Sequence, residues 1–245
     1  MAEKTVWITG ASRGIGRETA RVFAERGYRL ILQYARAQEE AEALAAELRD
    51  RGTAVLLCRA DVSDYEQVKT VAEAGRRMFG SIDVLVNNAG IAAQRLFMDI
   101  EPEEWNRMLA VHVNGAYHCI RCVLPDMIKE HRGKIINISS MWGQVGASCE
   151  VHYSTAKAAL IGLTKALAKE LGPTNIQVNC VAPGVIETDM LSGLNENDKQ
   201  ALREETPLMR LGSPRDVAET VAFLASGAAD FITGQVIGVN GGFVI

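Results

Sequence analysis

"TVWITGASRGIG", Thr5–Gly16, runs from a β-branched apolar strand pattern through a glycine turn and into a helical pattern. Gly10, Gly14 and Gly16 are spaced G-x-x-x-G-x-G, which is not the G-x-G-x-x-G fingerprint. The physics is nevertheless shared. Glycine permits a tight turn and close backbone approach, and the helix beyond it offers unpaired N–H groups and partial positive charge to a pyrophosphate.

Outward from this unit the same rhythm repeats. Residues 5–9, 29–33, 54–58, 83–87, 134–139, 176–182 and 235–240 read as strands, and their near-continuous hydrophobicity suits strands covered on both faces. Helical patterns fall between them at 15–26, 36–50, 64–79, 103–110, 113–130, 154–171 and 215–226. Repeated βαβ units with right-handed crossovers predict an α/β fold with a parallel sheet. No linker or low-complexity tract divides the chain, so 1–245 reads as one domain. The rhythm breaks only at 188–212, "TDMLSGLNENDKQALREETPLMRLG", polar and long for a loop, and expected to be a substrate lid or a local helical excursion.

Composition narrows the function classes. In 245 residues, 48% are hydrophobic, enough for a sizeable core. A net charge of −4 gives no reason to expect nucleic-acid or membrane-surface partners. No apolar run approaches the roughly 18 residues of a membrane span, and no cationic-then-apolar signal opens the chain, so a cytoplasmic protein is expected. Five cysteines suggest no disulfide framework. Cys119 and Cys122 form C-x-x-C inside a helical pattern without the strand–loop context of a redox motif, and read as core. Neither a second cysteine pair nor a histidine cluster completes a zinc site, so no metal is expected.

The second strand pattern ends "LQYARAQEE". Dinucleotide folds often carry an acidic residue there for the ribose of NAD. Tyr34 and Ala35 stand in its place, and Arg36 comes next. With Arg13 in the glycine turn, two guanidiniums suit a 2′-phosphate, which favours NADP over NAD.

In "YSTAK", Tyr153–Lys157, a helix starting at the tyrosine puts the lysine one turn on, on the same face. An ammonium about 4 Å from the phenol oxygen, at an effective dielectric of about 20, contributes roughly 4 kcal/mol towards the phenolate. That is up to about three pKa units, and predicts a tyrosine titrating near 7, suited to general acid–base work. Upstream, "IINISSMWG" ends a strand with Ser139 and Ser140, and Ser140 precedes Tyr153 by thirteen residues, so its hydroxyl can meet a substrate carbonyl beside the phenol.

"TGASRGIG", "NNAG" (87–90), Asn114, Ser140, "YSTAK", "PGVIET" (183–188) and the ending "TGQVIGVNGG", in this order and spacing, resemble the short-chain dehydrogenase/reductase family over essentially the whole chain. The resemblance implies a single-domain Rossmann fold, a doubly wound seven-stranded parallel sheet. It implies a tetrad of Asn114, Ser140, Tyr153 and Lys157, in which Tyr153 protonates the carbonyl oxygen and Ser140 orients it. Lys157 lowers the tyrosine pKa and binds the nicotinamide ribose, while Asn114 positions a water for a proton relay. Cofactor contacts are implied at Gly10, Ser12, Arg13, Gly14, Ile15 and Gly16; at Arg36, Asp61 and Val62 towards adenosine; at Asn88, Ala89 and Gly90 in the cleft; and at Pro183, Gly184, Ile186 and Thr188 by the nicotinamide. A homotetramer through 113–130, 154–171 and the C-terminal segment is also implied, and the apolar ending "GGFVI" suits it.

Within the family, "VAPGVIETDM" and "FITGQVIGVNGG" are most similar to 3-oxoacyl-[acyl-carrier-protein] reductases of fatty-acid synthesis, which implies a ketone carried on acyl carrier protein. Those enzymes commonly read Gln-Ala-Asn before the tyrosine, where this chain has Glu150, Val151 and His152, and often a basic residue where "LGPTNIQ" has none. Lys129 and Arg132 offer a small basic patch nearby. A carboxylate at Glu150, a candidate substrate contact, suits a cationic substrate. "WGQVGASCEVHYS" resembles a branch that reduces a ketone on a modified lysine of elongation factor P, the alternative substrate. Outside the enzymes stands a dinucleotide-sensing binding protein; such drift usually loses the tyrosine or the lysine, and both are present.

Overall fold

β1 (Thr5–Thr9), β4 (Val84–Asn87), β5 (Gly133–Ile138) and β6 (Ile176–Pro183) are buried at every position. They are the middle of a sheet completed by β2 (Arg29–Tyr34), β3 (Val55–Arg59) and β7 (Val236–Val239). This computed structural model describes residues 3–191, 193 and 195–245. Among them the seven strands pair in parallel in the order β3-β2-β1-β4-β5-β6-β7.

Alternation along β1 sorts the core into two layers. Val6 and Ile8 face Phe23 of α1 (Gly14–Glu25), Leu44 of α2 (Gln38–Asp50) and Val217 of α9 (Pro214–Leu224). Trp7 faces the opposite layer, with Val68 of α3 (Tyr65–Phe79) and Ile120 of α5 (Gly115–Glu130). Helices on both faces leave no sheet face in water, which is why the strands are not amphipathic. Two polar side chains that enter this layer are paired: Trp7 Nε1 donates to Gln33 Oε1 at 3.0 Å, and Gln33 Nε2 to the Ala60 carbonyl at 3.2 Å.

Local chemistry sets the helix ends. Asp64 caps α3 by accepting from the Glu66 and Gln67 amides. Pro214 opens α9 behind a Ser213–Asp216 capping box. In the 188–212 insertion, an Asn195–Asp198 capping box starts α8 (Glu196–Glu205), none of whose residues is buried. The helical excursion is therefore present; Ser192 and Leu194 of the proposed lid lie outside the described residues.

One boundary differs from expectation. The two helices read at 103–110 and 113–130 form one rod, α4 (Pro102–Leu109) running into α5 through a π turn at Ala110–Asn114. Such a wide turn inserts one residue and rotates the next part of the helix, and it recurs at functional sites. After β5 come α6 (Trp142–Val145) and α7 (Val151–Leu171). The chain order reverses at β1, between β2 and β4, and the crevice at the C-terminal strand ends there is where such sheets hold ligands.

Candidate active site

The glycine turn closes against β4. Gly10 (φ +65°) has no room for a side chain: a Cβ would lie 2.8 Å from the Ala89 Cα. A Cβ on Gly16 would lie 2.3 Å from the Gly10 carbonyl oxygen and 2.5 Å from Asn88 Nδ2. Asn88 ties the turn to the sheet, its Nδ2 donating to the Thr9 and Gly10 carbonyls at 2.9 and 3.1 Å, while Thr9 Oγ1 accepts from the Asn88 and Ala89 amides. Across the cleft, Thr188 Cγ2 would stand 3.3 Å from a Cβ on Gly14. Ser12 and Ile15 sit in the same turn, the Ser12 carbonyl accepting from Arg17 Nε at 2.9 Å.

These residues fit a dinucleotide. The N-terminus of α1 carries no side-chain cap, so its amides stay available for an anion in a cradle that side chains would fill. Arg13 and Arg36 are exposed, and neither is in an ion pair among the described residues. On the nicotinamide side, Pro183 ends β6, a Cβ on Gly184 would strike Asn240 at 2.7 Å, and Ile186 is buried and bridged to Gly212. Asp61 and Val62, expected towards adenine, also make contacts within the protein. The Asp61 carboxylate accepts from Ser63 and, at 2.7 Å, from Arg107; burial pushes its pKa up, but these bonds hold it below the usual range. Val62 packs against Gly115, where a Cβ would lie 2.7 Å from its Cγ2.

β5 delivers Ser139 and Ser140 to the same crevice, and α7 lies across them. Ser139 Oγ donates to the Lys157 carbonyl at 2.8 Å, and Gly143 lets the chains touch, since its Cβ would be 2.7 Å from that Oγ. Ser140 Oγ accepts from the Trp142 amide and is hydrogen-bonded to the Tyr153 side chain. Lys157 is 4% exposed; its Nζ donates to the Ile138 carbonyl at 2.8 Å and lies 5.5 Å from the Tyr153 ring centroid. Ser140, Tyr153 and Lys157 are thus brought together.

Their protonation departs from the sequence expectation. Tyr153 is not depressed towards 7 but pushed up to about 12: burial dominates, the Ser140 hydrogen bond opposes it, and the Glu150 carboxylate adds to the rise. Burial in turn lowers Lys157 to about 8. The ammonium sits 5.5 Å from the ring centroid, and desolvation of the phenol sets the direction of its shift. At neutral pH the site holds a neutral phenol, a proton donor as it stands, beside a charged ammonium.

Asn114 is exposed at the end of the π turn and makes no direct hydrogen bond to Ser140, Tyr153 or Lys157 among the described residues. Two positions earlier, His112 lies edge-on to Tyr153, with ring centroids 5.6 Å apart. Sequence reading passed over this histidine because helical periodicity does not register a wide turn.

Glu150 lies at the N-cap of α7, half-buried, accepting from Gln94 Nε2 at 3.3 Å. Of the basic patch, Arg132 is committed to Glu130 at 2.8 Å and Asp83 at 3.4 Å. Cys119 and Cys122 are buried free thiols, and burial raises both pKa values, as core cysteines require. Phe243 of the C-terminal tail packs on Trp142, centroids 5.9 Å apart, leaving Ile245 exposed. No helix among the described residues is long and apolar enough to cross a membrane.

The chain is similar to known proteins over nearly its whole length. A family model described as Enoyl-(Acyl carrier protein) reductase matches residues 10–244. A 3-oxoacyl-[acyl-carrier-protein] reductase of Staphylococcus aureus is 44% identical over 239 residues, covering 98% of this chain and 97% of that one. A crystal structure of a 3-oxoacyl-[acyl-carrier protein] reductase from Brucella melitensis superposes with a TM-score of 0.94 at 35% identity, covering 99% of this chain and 92% of that chain. A second Brucella melitensis structure, titled short-chain dehydrogenase/reductase SDR:Glucose/ribitol dehydrogenase, gives 0.91 at 34% identity, covering 99% and 97%.

Proposed function

The chain belongs to the short-chain dehydrogenase/reductase family and is an oxidoreductase of C=O and CH–OH groups using a nicotinamide dinucleotide; from that premise we propose NADPH-dependent reduction of a 3-oxoacyl group on acyl carrier protein. One observation carries the reading: the hydrogen-bonded hydroxyls of Ser140 and Tyr153, with Lys157 behind the ring, stand at the strand ends beside the uncapped glycine turn. NADPH supplies the hydride when bound. Ser140 orients the ketone oxygen, Tyr153 gives it a proton as charge develops there, and the Lys157 ammonium steadies the phenolate left behind. α8 and its flanking turns act as the lid over the substrate, and copies assemble as a homotetramer partly through α5, whose Tyr117 and Ile128 are exposed. NADPH oxidation driven by an acetoacetyl thioester is the direct test, and no turnover with this probe would overturn the acyl assignment.

The free guanidiniums support NADP. Arg13→Ala with Arg36→Ala is expected to raise the Michaelis constant for NADPH about 10- to 100-fold, at about 1.4 kcal/mol per decade, and that for NADH by no more than about threefold. Equal effects on both cofactors would refute the 2′-phosphate role.

Glu150 favours a second reading, reduction of an amino ketone such as that on a modified lysine of elongation factor P. Its carboxylate is close enough to raise the Tyr153 pKa, so it acts on the reacting region. A partly desolvated carboxylate attracts an ammonium by more than about 1 kcal/mol and repels an acidic carrier. Under this reading Glu150→Gln weakens amino-ketone reduction by about fivefold or more and spares or improves thioester reduction. Kinetics on both substrate classes check it: the same factor on each would show that Glu150 reads no charge.

A further inference from the structure

Arg107 closes a ring of hydrogen bonds just beyond β3. It lies in the last turn of α4, and its fork spans two partners: Nη2 donates to Asp61 Oδ2 and Nη1 to Ser63 Oγ, each at 2.7 Å. Ser63 Oγ in turn donates to Asp61 Oδ1 at 2.7 Å, and the Ser63 amide donates to the same oxygen at 2.9 Å. The backbone behind the carboxylate is pinned as well, the Asp61 amide donating to Gln67 Oε1 at 2.9 Å. A rigid guanidinium that spans a carboxylate and a hydroxyl fixes both, as a single flexible ammonium does not.

The sheet order shows what this ring faces. The glycine turn leaves β1, Arg36 follows the exit of β2, and Asp61 stands two residues beyond β3, so the three occupy adjacent strand ends. The Ala60 amide donates to the Tyr34 carbonyl at 2.8 Å, which keeps the exits of β2 and β3 level. A dinucleotide with its pyrophosphate on the glycine turn and its 2′-phosphate at Arg36 therefore carries its purine to β3. An ionised carboxylate only accepts, and takes about four hydrogen bonds. Among the described residues the Ser63 amide, the Ser63 hydroxyl and Arg107 donate to Asp61, which leaves it one acceptor position, on Oδ2. Adenine presents an amino donor at its 6-position, whereas an oxo purine presents there a carbonyl that a carboxylate repels.

We propose that Arg107 is a positioning residue that sets the purine specificity of the cofactor site, holding Asp61 so that its remaining Oδ2 position accepts from the adenine amino group and refuses a 6-oxo purine. The inference rests on the nicotinamide-dinucleotide reading of the cleft. It gives α4 a share in cofactor selection, through a side chain 46 positions from the carboxylate it steers. Glu104, three residues earlier on the same helix, has other partners, Arg95 Nε at 3.6 Å and His152 Nε2 at 3.8 Å. The packing of α4 can therefore be disturbed apart from Arg107.

Fluorescence titration of the full-length protein with NADPH and with its hypoxanthine counterpart, in which oxygen replaces the adenine amino group, tests this, with melting temperatures alongside. Wild type is expected to bind NADPH about tenfold or more tighter than the hypoxanthine cofactor. R107L should weaken NADPH binding and compress that preference to about threefold or less. R107K keeps the charge without the fork; it should lower the preference at least about threefold, and it carries the test if R107L fails to fold. D61N should compress the preference too, because an amide offers a donor as readily as an acceptor. E104Q should keep the wild-type preference. The proposal is overturned if a folded Arg107 variant keeps the wild-type preference, if E104Q compresses it as far as R107L does, or if wild type or D61N shows that Asp61 does not discriminate the two purines. Wild-type protein that binds neither cofactor overturns the dinucleotide reading beneath it, a different result from tight NADPH binding with a preference that R107L leaves unmoved.

Discussion

Tyr153→Phe is expected to lower kcat for ketone reduction by about 10³-fold or more while leaving NADPH affinity within about threefold, because only the proton donor is removed. The phenol is half-buried and hydrogen-bonded to Ser140, and its pKa of about 12 keeps it protonated at every working pH. A ketone oxygen receiving hydride becomes a strong base, so a donor that holds its proton until that moment is well matched to reduction. The ring still packs against His112, so the folding cost should be near the ~1 kcal/mol of one lost hydrogen bond. Stopped-flow NADPH oxidation with melting curves checks both parts. More than a tenth of wild-type kcat in a folded Tyr153→Phe variant would sink the assignment of Tyr153 as proton donor.

Lys157→Met is expected to damage catalysis and cofactor binding together, with kcat down by about 10²-fold or more and the NADPH Kd up about tenfold, since the ammonium is assigned both to the phenolate and to the ribose. Its pKa of about 8 also sets a limb in the wild-type profile: reduction should fall as pH rises through about 8 and the ammonium is lost, and the variant should lack that limb. Stability moves the other way. The folded pKa lies below the ordinary 10.5, so the fold holds this proton more weakly than the unfolded chain does. Burial of the charge therefore destabilises the native state below about pH 8, and that penalty is relieved between about pH 8 and 10.5. Met fills the volume without the charge, so the melting temperature at pH 7 should hold or rise, and unchanged NADPH affinity would refute the ribose role.

Much of the site was legible from residues alone. Ser140, Tyr153 and Lys157 meet because the end of β5 and the first turns of α7 are local units, and the thirteen-residue spacing leaves room for one return between them. Gly10, Gly14 and Gly16 were legible for the same reason, each answering to a backbone need within a few residues. The Asp61 carboxylate also accepts from Arg107, 46 positions along, a pairing that no local pattern discloses.

By itself the sequence determined the doubly wound parallel sheet, the place of the glycine turn and the identity of the serine, tyrosine and lysine, because apolar periodicity, turn chemistry and i,i+4 spacing act over a few residues. Only the tertiary structure decided which proton sits where. Whether Tyr153 is acid or phenolate depends on its burial, to which the His112 ring of the π turn contributes, and on Ser140 and Glu150, none of which i,i+4 spacing discloses. Only the fold, too, decided that His112 meets Tyr153: a wide turn carries one residue more than the α-helical period and turns the next side chains to another face, and the ring then packs against Gly90 and Tyr153.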